Sequence, residues 1–207
     1  MQYEADRDGL ASGARGTNAI VSASVVDLAR VRARQPAALA EFFDRYFDRL
    51  YALAYRLVGE RALAEDVTQE ALLRVHRAID TLDPALDPWP WIAQILTNVC
   101  RDHWGAATTR HGRQSFSLQE HPDLEGELPE APGTPETITM ARQEAVMVQR
   151  ALDRLPASGR LVVLLHDYQG LGHEEIAEIT GSSHTAVRQQ YRRALVALGR
   201  LLRTMLT

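Results

Sequence analysis

The chain has 207 residues, 45% of them hydrophobic, which is enough for one large or two small domains with buried cores. Its single cysteine, Cys100, excludes an intramolecular disulfide and any zinc site built from several cysteines. No apolar run is long enough to span a bilayer, and the first residues lack the charged-then-apolar pattern of a signal peptide. A cytoplasmic protein without membrane insertion is therefore expected.

The formal net charge of -4 hides an uneven distribution that divides the chain. Residues 1–22 are polar and contain Gly and Ser, which predicts a disordered N-terminal tail. Residues 111–136 combine Pro, Gly and acidic residues without apolar periodicity, and this predicts a flexible acidic linker. The blocks at 23–110 and 137–207 both show helical periodicity. We therefore predict an all-α chain of two small helical domains.

Two amphipathic helices are predicted in the first block, one ending at Gly59 and one running from about Arg61 to Ile79. Their predicted inward-facing residues are Leu39, Phe43, Tyr46, Leu50, Leu53 and Leu57 in the first, and Leu63, Val67, Leu72, Val75 and Ile79 in the second. On the outer face of the second helix, Asp66, Gln69 and Glu70 fall together. Such a face is usually a solvated surface with pairs such as Glu70–Arg74, although it also suits a partner helix.

A third helix is predicted after the proline-rich loop at 80–91, with Pro90 at its start. The side chains assigned to its buried side are Ile92, Ile95, Leu96 and Val99. Asn98, Arg101 and Asp102 lie on or near the opposite side. Trp91 is assigned to the core, whereas Trp89 is assigned to the loop.

The second block is predicted to begin with Thr134 as a helix cap and Pro135 at the first helical position. The apolar stripe of this helix ends at Pro156 and consists of Ile138, Ala141, Ala145, Val148, Leu152 and Leu155.

The segment 151–202 predicts a helix-turn-helix. A short helix containing Ile176, Ala177 and Ile179 ends at Gly181, and Ser183 can cap a longer helix beyond it. In the longer helix, the residues predicted to face inward are Val187, Tyr191, Ala194 and Leu198. The residues predicted to face outward are His184, Thr185, Arg188, Gln189, Arg192 and Arg193. Residues 180–207 contain five arginines and no acid. Residues at the start of such a helix can read base edges, while later arginines hold phosphates.

Three stretches together resemble one family. The residues LDRLP at 152–156, Gly170-Leu171, EEIAEITG at 174–181 and Val187-Arg188 look like the C-terminal promoter-binding domain, region 4, of bacterial extracytoplasmic-function (ECF) sigma factors. AEDVTQEALLRVHRAI at 64–79 resembles the region 2 segment that docks on the clamp helices of RNA polymerase. WIAQILTNVCRDH at 91–103 resembles the region 2 segment that recognises and opens the -10 promoter element.

The resemblance implies a role for each set of residues. Asp66, Gln69 and Glu70 would bind core polymerase. The expected -10 DNA contacts are Trp89, Asn98, Arg101 and Asp102, with Trp89 stacking on an unpaired base. The expected -35 contacts are the six outward residues, His184, Thr185, Arg188, Gln189, Arg192 and Arg193. The implied partners are core RNA polymerase, promoter DNA and an anti-sigma factor, with no cofactor.

The sequence also departs from this family. Gly105 and Ala106 stand where a basic pair is usual after the third helix, and Gln94 and Thr97 occupy positions within that helix that often include a basic residue. In the recognition helix, Ala186 and Gln190 replace a common threonine and arginine, so the promoter sequence is left open. The inducing signal is also left open.

Two other functions remain as alternatives. The first is a free-standing helix-turn-helix regulator that never joins polymerase, and the second is a degenerate paralogue acting through protein contacts alone. Enzyme functions fit poorly, because the HEEIA stretch has Ala177 where a zinc protease needs its second histidine. The pairs His166-Asp167 and Asp102-His103 have no further ligands at suggestive spacing, so no catalytic or metal-binding residue is predicted.

Overall fold

A computed structural model describes residues 26–111 and 135–206, which contain helices and turns and no strand. The helices are α1 (Leu28–Arg32), α2 (Pro36–Val58), α3 (Arg61–Arg77), α4 (Pro88–His111), α5 (Pro135–Asp153), α6 (Ala157–Val163), α7 (His173–Thr180) and α8 (His184–Leu206). Helices α1–α4 form an N-terminal domain, and α5–α8 form a C-terminal domain. The predicted tail, the linker residues 112–134 and the proposed Thr134 cap lie outside the described residues.

The predicted helix in the first part of the N-terminal domain is confirmed as α2, which ends where Gly59 adopts a left-handed φ of 76°. Leu50, Leu53 and Leu57 are buried as predicted. Phe42 is completely buried, whereas Phe43 is only partly buried at the edge of the core. Both α3 and α4 pack against α2. The buried stripe of α2 is therefore wider than a single heptad stripe, and it includes Phe42.

The second predicted helix is confirmed as α3, which buries Val67 and Val75. Ala64 and Ala71 are also completely buried, and such small side chains allow close packing against α2 and α4. Beyond Arg77 the helix gives way to a 3-10 turn at Ile79–Thr81.

The third predicted helix, α4, begins at Pro88 rather than at Pro90. The carboxylate of Asp87 accepts a hydrogen bond from the backbone N–H of Trp89 at 3.0 Å, as a residue preceding a helix commonly does. Trp89 therefore lies one turn before the buried Ile92 and is itself only 1% exposed. The predicted loop position of Trp89 is wrong, and Trp91 is the partly buried tryptophan at the edge of the core.

In the C-terminal domain, α5 begins at Pro135 as predicted, and Leu152 and Leu155 are buried. Val148, predicted to face inward, is 40% exposed, and the adjacent Gln149 is 1% exposed instead. After α6, the backbone continues as a π-helical turn at Leu164–Tyr168, in which Gln169 N–H bonds to the carbonyl of Leu164.

The predicted helix-turn-helix is confirmed. Helix α7 ends at Gly181 with a φ of 61°, and the hydroxyl of Ser183 accepts a hydrogen bond from Ala186 N–H at 3.2 Å at the start of α8. Val187 and Ala194 are buried on the inner side of α8. The angle between the two helices is therefore set by a left-handed glycine followed by a serine cap.

Two glycine-to-alanine substitutions should have opposite effects on the free energy of unfolding. Gly181→Ala should lower it by about 1 kcal/mol, because an L-residue is strained in the left-handed region. Gly199→Ala is the matched control, since a Cβ at this position within α8 meets no atom within 4 Å. It should raise the free energy of unfolding by up to about 1 kcal/mol, measured by denaturant titration of the full chain. Equal effects of the two changes would contradict the role assigned to Gly181.

Candidate DNA and partner interfaces

The N-terminal half of α8 presents the predicted recognition surface. All six residues assigned to it are exposed: His184, Thr185, Arg188, Gln189, Arg192 and Arg193. The opposite side of the helix is anchored by Val187, which is completely buried. The exposed side therefore offers donors and positive charge without acidic neighbours on the same helix.

A cluster of histidines lies behind the start of α8. The rings of His166 and His173 are 4.4 Å apart, and that of His184 lies 6.2 Å from His173. Tyr191 contacts the first two rings edge-on, at 4.7 Å and 5.2 Å between ring centroids. The cluster joins the π-helical turn, α7 and α8, and sequence reasoning missed it because these residues are distant along the chain.

Hydrogen bonds fix two members of the cluster. The hydroxyl of Tyr191 donates to the Asp167 carboxylate at 2.7 Å, while burial and this acidic partner raise the pKa of Tyr191 to about 12. His166 Nδ1 lies 2.8 Å from the carbonyl oxygen of Leu171. The pKa of His173 is lowered below its usual 6.5, mainly by burial and further by the neighbouring His166 and His184. His173 Nε2 is buried without a hydrogen-bond partner, so the neutral ring is favoured.

The outer face of α3 carries the predicted docking residues. Asp66 and Gln69 are exposed, and Glu70 is partly exposed. Leu73, one turn further along the same face, is 51% exposed and adds a large apolar side chain to this surface. Sequence reasoning missed Leu73, although its spacing of three and four residues from Glu70 and Gln69 already indicated it.

Arg74 connects this face to α4. Its Nε donates to Glu70 at 2.7 Å, and its NH1 donates to Asp102 at 2.7 Å. These two hydrogen bonds raise the pKa of Arg74 above its usual value. The predicted docking residue Glu70 and the predicted -10 residue Asp102 therefore share one guanidinium, which holds α3 and α4 in register.

The four residues predicted to contact -10 DNA have different environments. Asn98 and Asp102 are exposed on α4, whereas Arg101 is half-buried and donates to the carbonyl of Thr180 at 2.7 Å. Trp89 cannot stack on a DNA base, because its ring lies in the core against Tyr46 and beneath the guanidinium of Arg49 at 3.9 Å. That part of the prediction is wrong.

Within residues 26–111 and 135–206, no group of three metal-ligating side chains is arranged to hold an ion. In the same ranges, no helix is both long and apolar enough to cross a membrane. The Cys100 thiol is buried, which raises its pKa to about 12 and makes it a poor nucleophile.

The fold and these surfaces define a two-domain helical protein with an arginine-bearing helix-turn-helix and an acidic, partly apolar face on α3. Family models agree with this class: Sigma-70 region 2 matches residues 42–110, and Sigma-70 region 4 matches residues 145–198. ECF RNA polymerase sigma factor SigM of Mycobacterium tuberculosis is 30% identical over 80% of this chain and 77% of its own length. The chain belongs to the ECF sigma factor family, whose members are transcription initiation factors.

Other relatives are longer than the region they share with this chain. SigE of Mycolicibacterium smegmatis is 34% identical over 74% of this chain and 57% of its own length. SigI of Mycobacterium tuberculosis is 31% identical over 70% of this chain, and the match covers 49% of the length of SigI. The chain thus spans about half the length of these two relatives.

Solved structures share the fold. The sigma factor RpoE of Bartonella quintana, solved in complex with the anti-sigma factor NepR, matches 80% of this chain and 96% of its own with a TM-score of 0.63 at 21% identity. CnrH, solved in complex with the cytosolic domain of CnrY, matches 87% of this chain and 99% of its own with a TM-score of 0.60 at 22% identity.

The depressed pKa of His173 predicts a pH-dependent stability. Since the unfolded chain binds this proton more readily, the contribution of His173 is complete above the unfolded pKa of 6.5 and is lost as the pH falls through the lower folded value. The free energy of unfolding should therefore decrease as the pH falls below about 6.5. His173→Gln should flatten that dependence. An unaltered pH profile in His173→Gln would refute the assignment.

Proposed function

We propose that this chain binds core RNA polymerase, directs it to promoters with two recognition elements and assists DNA opening. The observation that carries the proposal is the presence of two different surfaces on two domains. One is the arginine-bearing recognition helix α8, and the other is the outer face of α3, with exposed carboxylates around Leu73.

The α3 face fits a protein partner better than DNA. Its exposed carboxylate at Asp66 would repel phosphates, while Leu73 provides apolar area that a partner can bury. The amide of Gln69 adds a donor and an acceptor beside them. A basic helix of core polymerase, as the family resemblance implies, complements these groups.

The surfaces of α8 and α4 fit two separate DNA elements. Arg188 and Gln189 lie within the first turns of α8, where side chains reach base edges, and Arg192 and Arg193 follow where phosphates are expected. On α4, Asn98 is exposed and can hydrogen-bond an unstacked base. We assign α8 to the -35 element and α4 to the -10 element.

An anti-sigma factor is a further proposed partner. RpoE and CnrH, which share this fold, were both solved in complex with another protein. The C-terminal part of α8 exposes Val196 by 55% and Leu206 by 71%, which offers apolar area to such a protein.

The alternative function, that of a free-standing helix-turn-helix regulator, explains only the exposed arginines of α8. It gives no reason for an exposed leucine among carboxylates on α3. Family membership also favours the polymerase-dependent function.

Charge reversal tests the docking face. Asp66→Arg should weaken binding to core polymerase by about 2 kcal/mol or more, because it places a cation opposite a basic partner. Asp44→Arg is the matched control, since Asp44 is an exposed carboxylate on α2, outside the docking face on α3. Affinities from fluorescence anisotropy of the labelled full chain compare the two. The docking assignment fails if Asp66→Arg binds as tightly as Asp44→Arg.

Two arginine substitutions separate base reading from phosphate binding. In the complex with core polymerase, Arg188→Ala should change the preferred -35 sequence and cost about 1 to 3 kcal/mol. Arg192→Ala should weaken all sequences alike and reduce the salt dependence of binding. Selection from a randomised -35 library measures both effects. A uniform loss in both variants would contradict base reading by Arg188.

A further inference from the structure

The histidine cluster, formed by His166, His173 and His184, lies behind the proposed recognition surface of α8. Its middle member, His173, is the first residue of α7. The ring of His173 packs against His166 of the π-helical turn and against Tyr191 of α8, at 4.4 Å and 5.2 Å between ring centroids. One imidazole therefore joins the three segments that set the position of the recognition helix.

His173 occupies a site that suits a neutral ring. Its Nε2 is buried without a hydrogen-bond partner in the described part of the chain. A proton on His173 would place a cation 4.4 Å from the ring of His166 and close to the guanidinium of Arg188. Burial first, and then these neighbours, lower the pKa of His173. The packed arrangement therefore favours the neutral ring.

Charged and titratable groups face His173 from the π-helical turn and from α8. They are His166 and Asp167 on the turn, and His184 and Arg188 on the helix. Asp167 is the acidic member of this set, and it favours a proton on His173. Its carboxylate also accepts a hydrogen bond from the hydroxyl of Tyr191 at 2.7 Å. Asp167 is therefore shared between α8 and the histidine cluster.

Helices α7 and α4 contribute further charges in this region. On α7, Glu174 is exposed, and Glu175 accepts a hydrogen bond from the backbone N–H of Gly172 at 2.7 Å. Helix α4 packs against α7, and its Arg101 donates to the carbonyl of Thr180, at the opposite end of α7 from His173. The balance of charge at His173 is therefore set mainly by the π-helical turn and α8.

We infer that the histidine cluster is a proton-operated switch on promoter recognition, in which neutral rings hold the start of α8 in its reading position and a proton on His173 releases it. This inference rests on the proposed -35 function of α8. Because Nε2 has no partner in the packed state, a charged His173 gains hydration by leaving its contacts with His166 and Tyr191. The start of α8, which carries Arg188 and Gln189, then loses its support from α7.

Bound DNA offsets little of the charge on His173. The ring of His184 lies 6.2 Å from that of His173. A phosphate in contact with His184 is therefore roughly 10 Å from His173, beyond the Debye length of about 8 Å at physiological ionic strength. Since the packed rings are much closer, protonation and -35 recognition oppose each other. By the same coupling, bound -35 DNA holds His173 neutral.

The specificity of -35 binding, measured as a function of pH, tests the switch. The full chain in complex with core polymerase is titrated with two duplexes, one carrying the selected -35 sequence and one carrying the same bases scrambled. The ratio of the two affinities removes the general attraction of charged histidines for phosphate. This ratio should be constant above about pH 7 and should fall by about tenfold per pH unit below the transition, as release by one proton requires.

Three substitutions separate the switch from a structural role. His173→Phe keeps a ring against His166 and Tyr191 but takes no proton, so its specificity ratio should change by less than about twofold between about pH 7.5 and pH 5. Asp167→Asn keeps an acceptor for the Tyr191 hydroxyl and removes the facing carboxylate, so the transition should move to lower pH. Arg192→Ala is the control, which should weaken binding to both duplexes and leave the pH of the transition unchanged.

Several results would overturn the switch. They are a specificity ratio that stays constant with pH in the parent chain, an equal fall in His173→Phe, and a fall that accompanies loss of the helical circular-dichroism signal, since that is acid unfolding. If His173→Phe does not fold, Asp167→Asn decides, and an unmoved transition overturns the inference. Absence of specific -35 binding at every pH would instead refute the proposed function of α8.

Discussion

The arrangement of this molecule depends on one constraint: a helix that buries one stripe of side chains must expose the opposite stripe. Val67 and Val75 fix α3 in the core, and this turns Asp66 and Leu73 outward. Val187 does the same for α8 and exposes Arg188. Packing of these two helices therefore presents both proposed surfaces.

Electrostatic contacts then link the surfaces to one another. Arg74 joins Glu70 on the proposed docking face to Asp102 on the proposed DNA helix, so a partner that binds α3 acts on a group already coupled to α4. Arg101 of α4 in turn donates a hydrogen bond to the carbonyl of Thr180 at the end of α7. A short series of contacts therefore connects the outer face of α3 to α4 and to the helix-turn-helix.

Local patterns predicted most of the helices and much of the surface. Gly59 and Gly181 ended their helices as expected, and the six residues of α8 face outward. The predicted loop position of Trp89 is wrong, because Asp87 caps the helix and the helix starts two residues earlier than predicted. The histidine cluster and the burial of Gln149 depend on contacts between distant segments, and periodicity along one helix carries no information about them.

The proposed function is tested most directly by transcription with purified core polymerase, reconstituted with the full chain, on a library of randomised upstream sequences. Transcripts should arise only when the chain is present, and active templates should share two motifs at a fixed spacing. The DNA strands should open at the downstream motif. Enrichment of a single motif by the chain alone, with no effect on core polymerase, would contradict it and identify a free-standing DNA-binding regulator.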